Sequence, residues 1–423
     1  MTVLIAGAGI AGLTLGLTLH QIGVPFRICE AVRQIRPLGV GINLQPNAVR
    51  ELYDLGLRQD LHETGVLTRS LGFFSKSGRE IWSEPRGLDA GYAWPQVSVH
   101  RGHLQMMLYR TLLERAGPES VLTGHRATGY AASDTSATLI LDGPDGRTRT
   151  KGSLLIAADG IHSALRAQMY PGEGDPVWAG AILWRGTTTA RPHSTKPGMI
   201  LAGHDTQRFV AYPISAPDPA TGDVLINWIA EKRVPSADSW RREDWNRAAD
   251  KNDFLPDFET WRFDWLDVPK LIRDASEVFE YPMVDRDPVD RWTDGTVTLM
   301  GDAAHPTYPV GSNGASQAIV DARTIGAAIA EHGTTHRALE TYEAQIRPRT
   351  TAVTRANRGS GPDAILQRVE DLCGGVFDDI GDVIPVSELA EHSAKYKKLA
   401  GFDPETLNTQ PAIIAAKHQK ELS

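Results

Sequence analysis

The chain has 423 residues, 41% hydrophobic and 23% charged, with a net charge of −8. That length exceeds one ordinary core and predicts two domains with an appended segment, and the composition is globular rather than disordered or fibrous. The acidic balance argues against nucleic acid or an anionic membrane as the main partner, no apolar run approaches the ~20 residues that span a bilayer, and two cysteines, Cys29 and Cys373, build no disulfide framework.

The chain opens with an expected strand at Val3 to Ala6, with no room before it for a basic segment and a cleavage site, which predicts a cytoplasmic protein. GAGIAG follows, then a helix expected over Leu13 to Gln21 and a second strand over Phe26 to Glu30. In that motif Gly7 permits a tight turn, Gly9 lets the backbone approach a pyrophosphate, and Gly12 allows the helix to pack closely. Ile10 and Ala11 complete the turn, whose helix N-terminus offers unpaired N–H groups and about half a positive charge. Glu30, eighteen positions past Gly12 at the end of the second strand, is placed to hold a ribose hydroxyl. A lone GxGxxG is weak evidence, because tight turns produce it by chance. The preceding strand, following helix and spaced carboxylate make it a nucleotide site. GVGINL at Gly39 lacks the third glycine, so a second such domain is not expected.

Leu154 to Ala158 reads as another buried strand, ending at Asp159-Gly160. From Ala179 to Glu231 the segments AILWRGTTT, RFVAYPIS and DVLINWIAE alternate and are rich in aromatic and β-branched residues, as in an antiparallel sheet. Asp238 to Asp274 reads as polar and helical, with Trp240, Trp245, Trp261 and Trp265. The buried-strand pattern returns in TVTLMGDAAH at Thr296, and a long helix is expected from Gly314 to Glu331. The order predicts an α/β fold: a Rossmann-like domain over 1–175 and 276–345, interrupted by an antiparallel-sheet substrate domain over 176–275. Residues 346–423 read as peripheral helices, with KHQKELS as a frayed tail.

GAGIAG with Glu30, ADGIHSALR at Ala158 to Arg166, and GDAAHPTYPVGSNGASQAIVDA at Gly301 to Ala322 together resemble the single-component FAD-dependent aromatic monooxygenases. These are the para-hydroxybenzoate and salicylate hydroxylase type, and the likeness covers about residues 1 to 350. RPLGVGINLQPNAV, SVHRGHLQ, YPMVDRDP and the SNGASQA form resemble most the branch containing the 5-methylphenazine-1-carboxylate monooxygenase. The resemblance implies FAD, with NADPH or NADH and O₂ as co-substrates, and hydroxylation of an aromatic small molecule through a flavin hydroperoxide, in secondary metabolism or aromatic breakdown. It implies a monomer or homodimer. Asp302 would accept a hydrogen bond from the ribityl chain, Pro309 would lie beside the reactive ring, and Gly311, Asn313, Gly314 and Ala315 would wrap the ring's pyrimidine end. Arg101 would reach the phosphates or ribityl, Arg36, Val40 and Gly41 the flavin edge, and Asp159 the family's Asp-Gly motif. The Gly that usually precedes that motif is replaced by Ala157-Ala158. Arg166 and His305 are expected to be architectural.

No acid or base is assigned for the chemistry. HGTTH at His332 to His336 lacks the glutamate of HExxH, and no GxSxG elbow exists, so neither zinc nor serine-hydrolase chemistry is supported. Substrate walls are expected from the sheet, with Trp184, Tyr212 and Trp228 as candidates that are equally suited to its core. Arg185 suits a substrate carboxylate, though a structural ion pair is the plainer role. Other readings keep the fold but change the outcome: epoxidation, Baeyer–Villiger insertion, decarboxylative oxygenation, a reductase that never activates oxygen, or a nucleotide-binding protein without turnover.

Overall fold

VLIA, four buried apolar residues, forms β1 (Val3–Ala6), and the glycine turn delivers the chain into α1 (Ile10–Gln21). Ten of that helix's twelve residues are buried, so LTLGLTL needs no polar face and shows no helical period. The computed structural model describes residues 2–194, 196–234, 247–359 and 361–414. β2 (Phe26–Cys29) runs parallel to β1, and Gly16 of α1 closes against Ile28, Phe26 and Leu112 where a side chain would crowd them. β3 (Ser70–Phe74) and β4 (Glu80–Pro85) form a hairpin, followed by α2 (Arg101–Ala116). β5 (Leu154–Ala157) pairs parallel with the other side of β1.

Next come β6 (Val177–Ala190), β7 (Gly198–His204), β8 (Gln207–Pro213), β9 (Val224–Arg233) and β10 (Val278–Asp285). β11 (Val297–Leu299) then adds parallel to β5, and the chain closes with α3 (Gly314–His332), α4 (His336–Asn357), α5 (Ala364–Cys373) and α6 (Val386–Leu399). The nucleotide-type sheet has the order β11-β5-β1-β2, with Val121–Leu122 at one edge and antiparallel Thr293–Asp294 at the other. A second sheet of eight strands runs Arg247–Ala248, β10, β6, β9, β8, β7, β3, β4. The three segments expected to pair antiparallel are its centre, β6-β9-β8.

Three expectations need correction. The large sheet is not confined to 176–275, because β3, β4 and β10 join it from outside that range. Strand pairing is set by surfaces that meet in three dimensions, and a hairpin strand 128 positions away matched the edge of β7. Residues 247–274 hold only short pieces, including helices Leu255–Phe258 and Val268–Asp274, rather than one helical stretch; Trp240 and Trp245 lie outside the described residues. The C-terminal segment is not peripheral: α6 buries Leu389, Ser393 and Tyr396 against the body, while KHQKELS lies outside the described residues.

One face of the large sheet packs Ile182, Trp184, Phe209 and Trp228 against Phe254, Phe258, Trp261 and Ile272. Its other face floors a cavity shared with the glycine turn and the loop before α3. That division positions everything below.

Candidate active site

A cavity of about 400 Å³ runs from Gly9, Ile10 and Ala11 to the floor of the sheet. At its nucleotide end the three glycines of the turn have different roles. Gly7 has φ +102° and sits against the Ala158 carbonyl, and a side chain on Gly12 would run into the Gly7 carbonyl oxygen. A Cβ on Gly9 would meet nothing within 4 Å, so that glycine alone faces open space. No side chain caps α1, which leaves its first N–H groups for a ligand. Glu30 pins the turn from behind: its carboxylate accepts the N–H groups of Ala8 at 2.7 Å and Val32 at 2.9 Å.

Further along, Asp302 projects into the cavity, accessible within it yet surrounded by protein, and that desolvation raises its carboxyl pKa. The loop from Pro309 to Ala315 lines the same stretch. Gly311 has φ +71°, and Ser312, at +50°, is the one non-glycine residue with positive φ among the described residues, so this loop holds strained backbone. Asn313 caps α3 without a side-chain hydrogen bond, and both its amide atoms are buried and unpaired. Asn43 Nδ2 and Gln45 Oε1, also lining the cavity, are buried without partners. Buried polar atoms are nearly always paired, so this set awaits a planar group rich in donors and acceptors, above a helix N-terminus that favours negative charge.

Other candidates are placed as follows. Arg101 and Gly41 line the cavity, and Val40 is buried behind it with its carbonyl accepting the Arg101 N–H. Arg36 does not line it: the side chain hydrogen-bonds Gln34 on the exposed surface. Asp159 sits beside it, accepting the Ala164 N–H at 3.0 Å, and burial lifts its carboxyl pKa to about 6. Arg166 pairs with Glu173 and donates to the carbonyls of Ala303 and Ala304, and His305 bonds Asp321 at 2.6 Å. Both are architectural, tying the Asp302 loop to its neighbours.

On the sheet floor the period of two sorts the side chains. Arg185, Ile229, Val210, Leu201 and Phe73 form one row across five strands, and all line the cavity. Tyr212 lines it too, but Trp184 and Trp228 point the other way. Trp184 stacks on Phe254 with ring centroids 4.5 Å apart, and Trp228 donates to Thr188 at 3.0 Å in the opposite core. Both faces of this sheet are buried, so aromatic content could not tell them apart.

Arg185 forms no ion pair among the described residues. Its guanidinium donates to the Gly41 carbonyl at 3.0 Å, lies over the Tyr281 ring and neighbours Tyr212, while its Nε is buried without an acceptor. Burial lowers its pKa from the ordinary arginine value, and burial likewise pushes the Tyr212 phenol up to about 12. Arg86, Lys397 and Asp363, which no motif marks, reach the cavity from β4's end, α6 and the segment before α5.

The pattern of a family model, the FAD binding domain, matches residues 1–357. The chain belongs to that family. It is 43% identical over 361 residues to the phenazine 1,6-dicarboxylic acid hydroxylase PhzS of Lysobacter antibioticus, covering 84% of this chain and 89% of the relative. It is 32% identical over 360 residues to a 3-amino-4-hydroxybenzoate 2-monooxygenase of Streptomyces cremeus, covering 84% and 85%. The crystal structure of Klebsiella pneumoniae HpxO with FAD and uric acid superposes with a TM-score of 0.70 at 24% identity, covering 96% of this chain and 95% of that one. The enzyme is therefore an FAD-dependent, NAD(P)H-using aromatic monooxygenase. When bound, the flavin supplies the activation of O₂ that a closed-shell aromatic ring needs. The protein's own residues bind and orient the ring and keep water out. No helix among the described residues is long and apolar enough to cross a membrane.

Proposed function

We propose that the enzyme hydroxylates a planar, fused-ring aromatic carboxylic acid, with Arg185 receiving the carboxylate. The observation that carries this reading is the half-buried Arg185 guanidinium on the cavity floor, with its Nε buried and no carboxylate partner among the described residues. A cation out of water is costly unless an anion or dipoles compensate it, and the substrate's acid is the missing partner. The apolar row of Ile229, Val210, Leu201 and Phe73 gives the ring a flat bed, and the two relatives, named for a phenazine dicarboxylic acid and an aminohydroxybenzoate, both act on aromatic carboxylic acids.

In this reading FAD lies with its pyrophosphate on Gly9, Ile10 and Ala11, its ribose at Glu30, its ribityl at Asp302 and Arg101, and its ring among Gly41, Asn43, Gln45, Pro309 and Asn313. A panel of phenazine, quinoline and benzene carboxylic acids, with NADPH and NADH, tests the reading through stimulated cofactor oxidation and oxygenated product. Product is expected from fused-ring acids, with Arg185→Gln raising KM by about tenfold or more, since hydrogen bonds to charged groups are worth about 1.5–3 kcal/mol. Equal KM in the variant, or turnover only of neutral rings, would overturn it.

A further inference from the structure

The cavity carries a second uncommitted positive pole, far from Arg185. Glu84, on β4, is the single carboxylate shared by two cations: Arg86 at 2.5 Å and Lys397 of α6 at 2.8 Å. Ser393 of α6 donates to the same carboxylate at 2.7 Å. Arg86 and Lys397 both line the cavity, Arg86 is only 8% exposed, and its Nε is buried with no acceptor. One negative charge for two positive ones leaves this end of the cavity short of an anion. Desolvation, with Arg86 adding to it, lowers the Lys397 pKa, as expected of an ammonium lacking a full counter-charge. The remaining ionic group on the floor has the opposite imbalance: Arg208 is shared by Glu231 and Asp363. It repels acid groups and leaves the two cationic poles as their destinations.

Strand register sets the scale of the floor between the neighbours of the two poles, Tyr212 and Glu84. Tyr212, beside Arg185, lies next to Met199, which pairs with Leu71, which pairs with Glu84, so one row crosses four strands. Three strand spacings of about 4.8 Å put the Tyr212 and Glu84 backbones roughly 14 Å apart, the scale on which the side chains of the two poles face each other. Allowing about 3 Å for a hydrogen bond at each end leaves roughly 8 Å between two acid groups. A single benzene ring is too short for that span, whereas opposite outer rings of a three-ring system fit it.

We propose that Arg86 and Lys397 form a second anion-binding subsite, opposite Arg185, which receives the distal carboxylate of a planar tricyclic dicarboxylic acid. The proposal rests on the reading that Arg185 takes the first carboxylate, and it gives the C-terminal helix a part in choosing the substrate. The test titrates the FAD-loaded enzyme with phenazine-1,6-dicarboxylic acid and with phenazine-1-carboxylic acid, reading dissociation constants from the perturbed flavin absorbance. The wild type should bind the diacid about tenfold or more tightly than the monoacid, as one further charged hydrogen-bonded contact implies. Lys397→Met and Arg86→Gln should bring that ratio close to one, and Lys397→Arg should restore it. Retained yellow flavin shows that each variant is folded, and Lys397→Met leaves the Arg86–Glu84 pair in place if Arg86→Gln does not fold. A wild-type ratio near one, or a ratio unchanged in Lys397→Met, would remove the second subsite while leaving Arg185's role intact. If neither acid perturbs the flavin, the reading of Arg185 fails and the second subsite with it.

Discussion

Gly9 and Gly12 are three residues apart in one motif, yet they answer to different physics. Gly12 has no room, because the Gly7 carbonyl occupies the place a Cβ would take, whereas Gly9 has open space before it. Gly12→Ala should therefore destabilise the apoprotein by about 1–3 kcal/mol through overpacking. Gly9→Ala should leave the melting temperature of the apoprotein unchanged within error but strip the enzyme of FAD, measured as flavin released on denaturation. Equal losses of stability in both variants would refute the distinction. His305 offers a pH test. Burial opposes its charge, but the Asp321 carboxylate outweighs burial and leaves the folded pKa above the ordinary 6.5. A raised pKa in the folded state means the stabilisation is complete below about 6.5 and lost as pH rises through the folded value. Stability of the wild type should decline across that window, and His305→Gln should flatten the decline; identical pH profiles would show that the pair contributes nothing.

At the scale of elements, alternation along β6 and β8 puts Val210 with Tyr212 on the cavity face and Ile182 with Trp184 on the opposite one. It could not say which face meets the cavity. Phe254, Phe258 and Trp261, which cover the tryptophan face, come from a segment whose course the sequence left as a vague helical stretch. Trp228 is fully buried there, so Trp228→Ala should cost about 3–5 kcal/mol by creating a cavity. The surviving folded enzyme should keep its substrate KM. Val210→Trp should do the reverse, leaving denaturation midpoints nearly unchanged while blocking substrate-stimulated NAD(P)H oxidation. A raised KM in a folded, flavin-loaded Trp228→Phe enzyme would place that residue in the binding site after all.

Over the whole molecule, the N-terminal part of the chain meets the large sheet at Gly41, whose N–H donates to Asn227 of β9 at 2.6 Å and whose carbonyl accepts from Arg185 of β6. The C-terminal segment closes the assembly from the outside: Tyr396 bonds Asn357 of α4 at 3.1 Å and packs on Gly311, and Tyr92 donates to the Phe402 carbonyl at 2.7 Å. FAD bridging these parts should raise the unfolding temperature by mass action, with about 2.7 kcal/mol gained when free FAD is a hundred times its Kd. Melts at increasing FAD should move together for near-UV and far-UV signals. A shift in one signal alone would show that the parts unfold separately.

The family and the geometry of the glycine turn were legible from the sequence alone, because Gly7, Gly12 and the Glu30 carboxylate behind the turn act through backbone geometry that local sequence dictates. The two-face pattern of the sheet was legible for the same reason, since a strand's period belongs to the strand. Which face became the pocket floor, and that Arg36 stays outside while Arg86 and Lys397 enter, was decided only in three dimensions. Those contacts join residues as far apart as Glu84 and Lys397, and no local preference records a partner that lies 313 positions away.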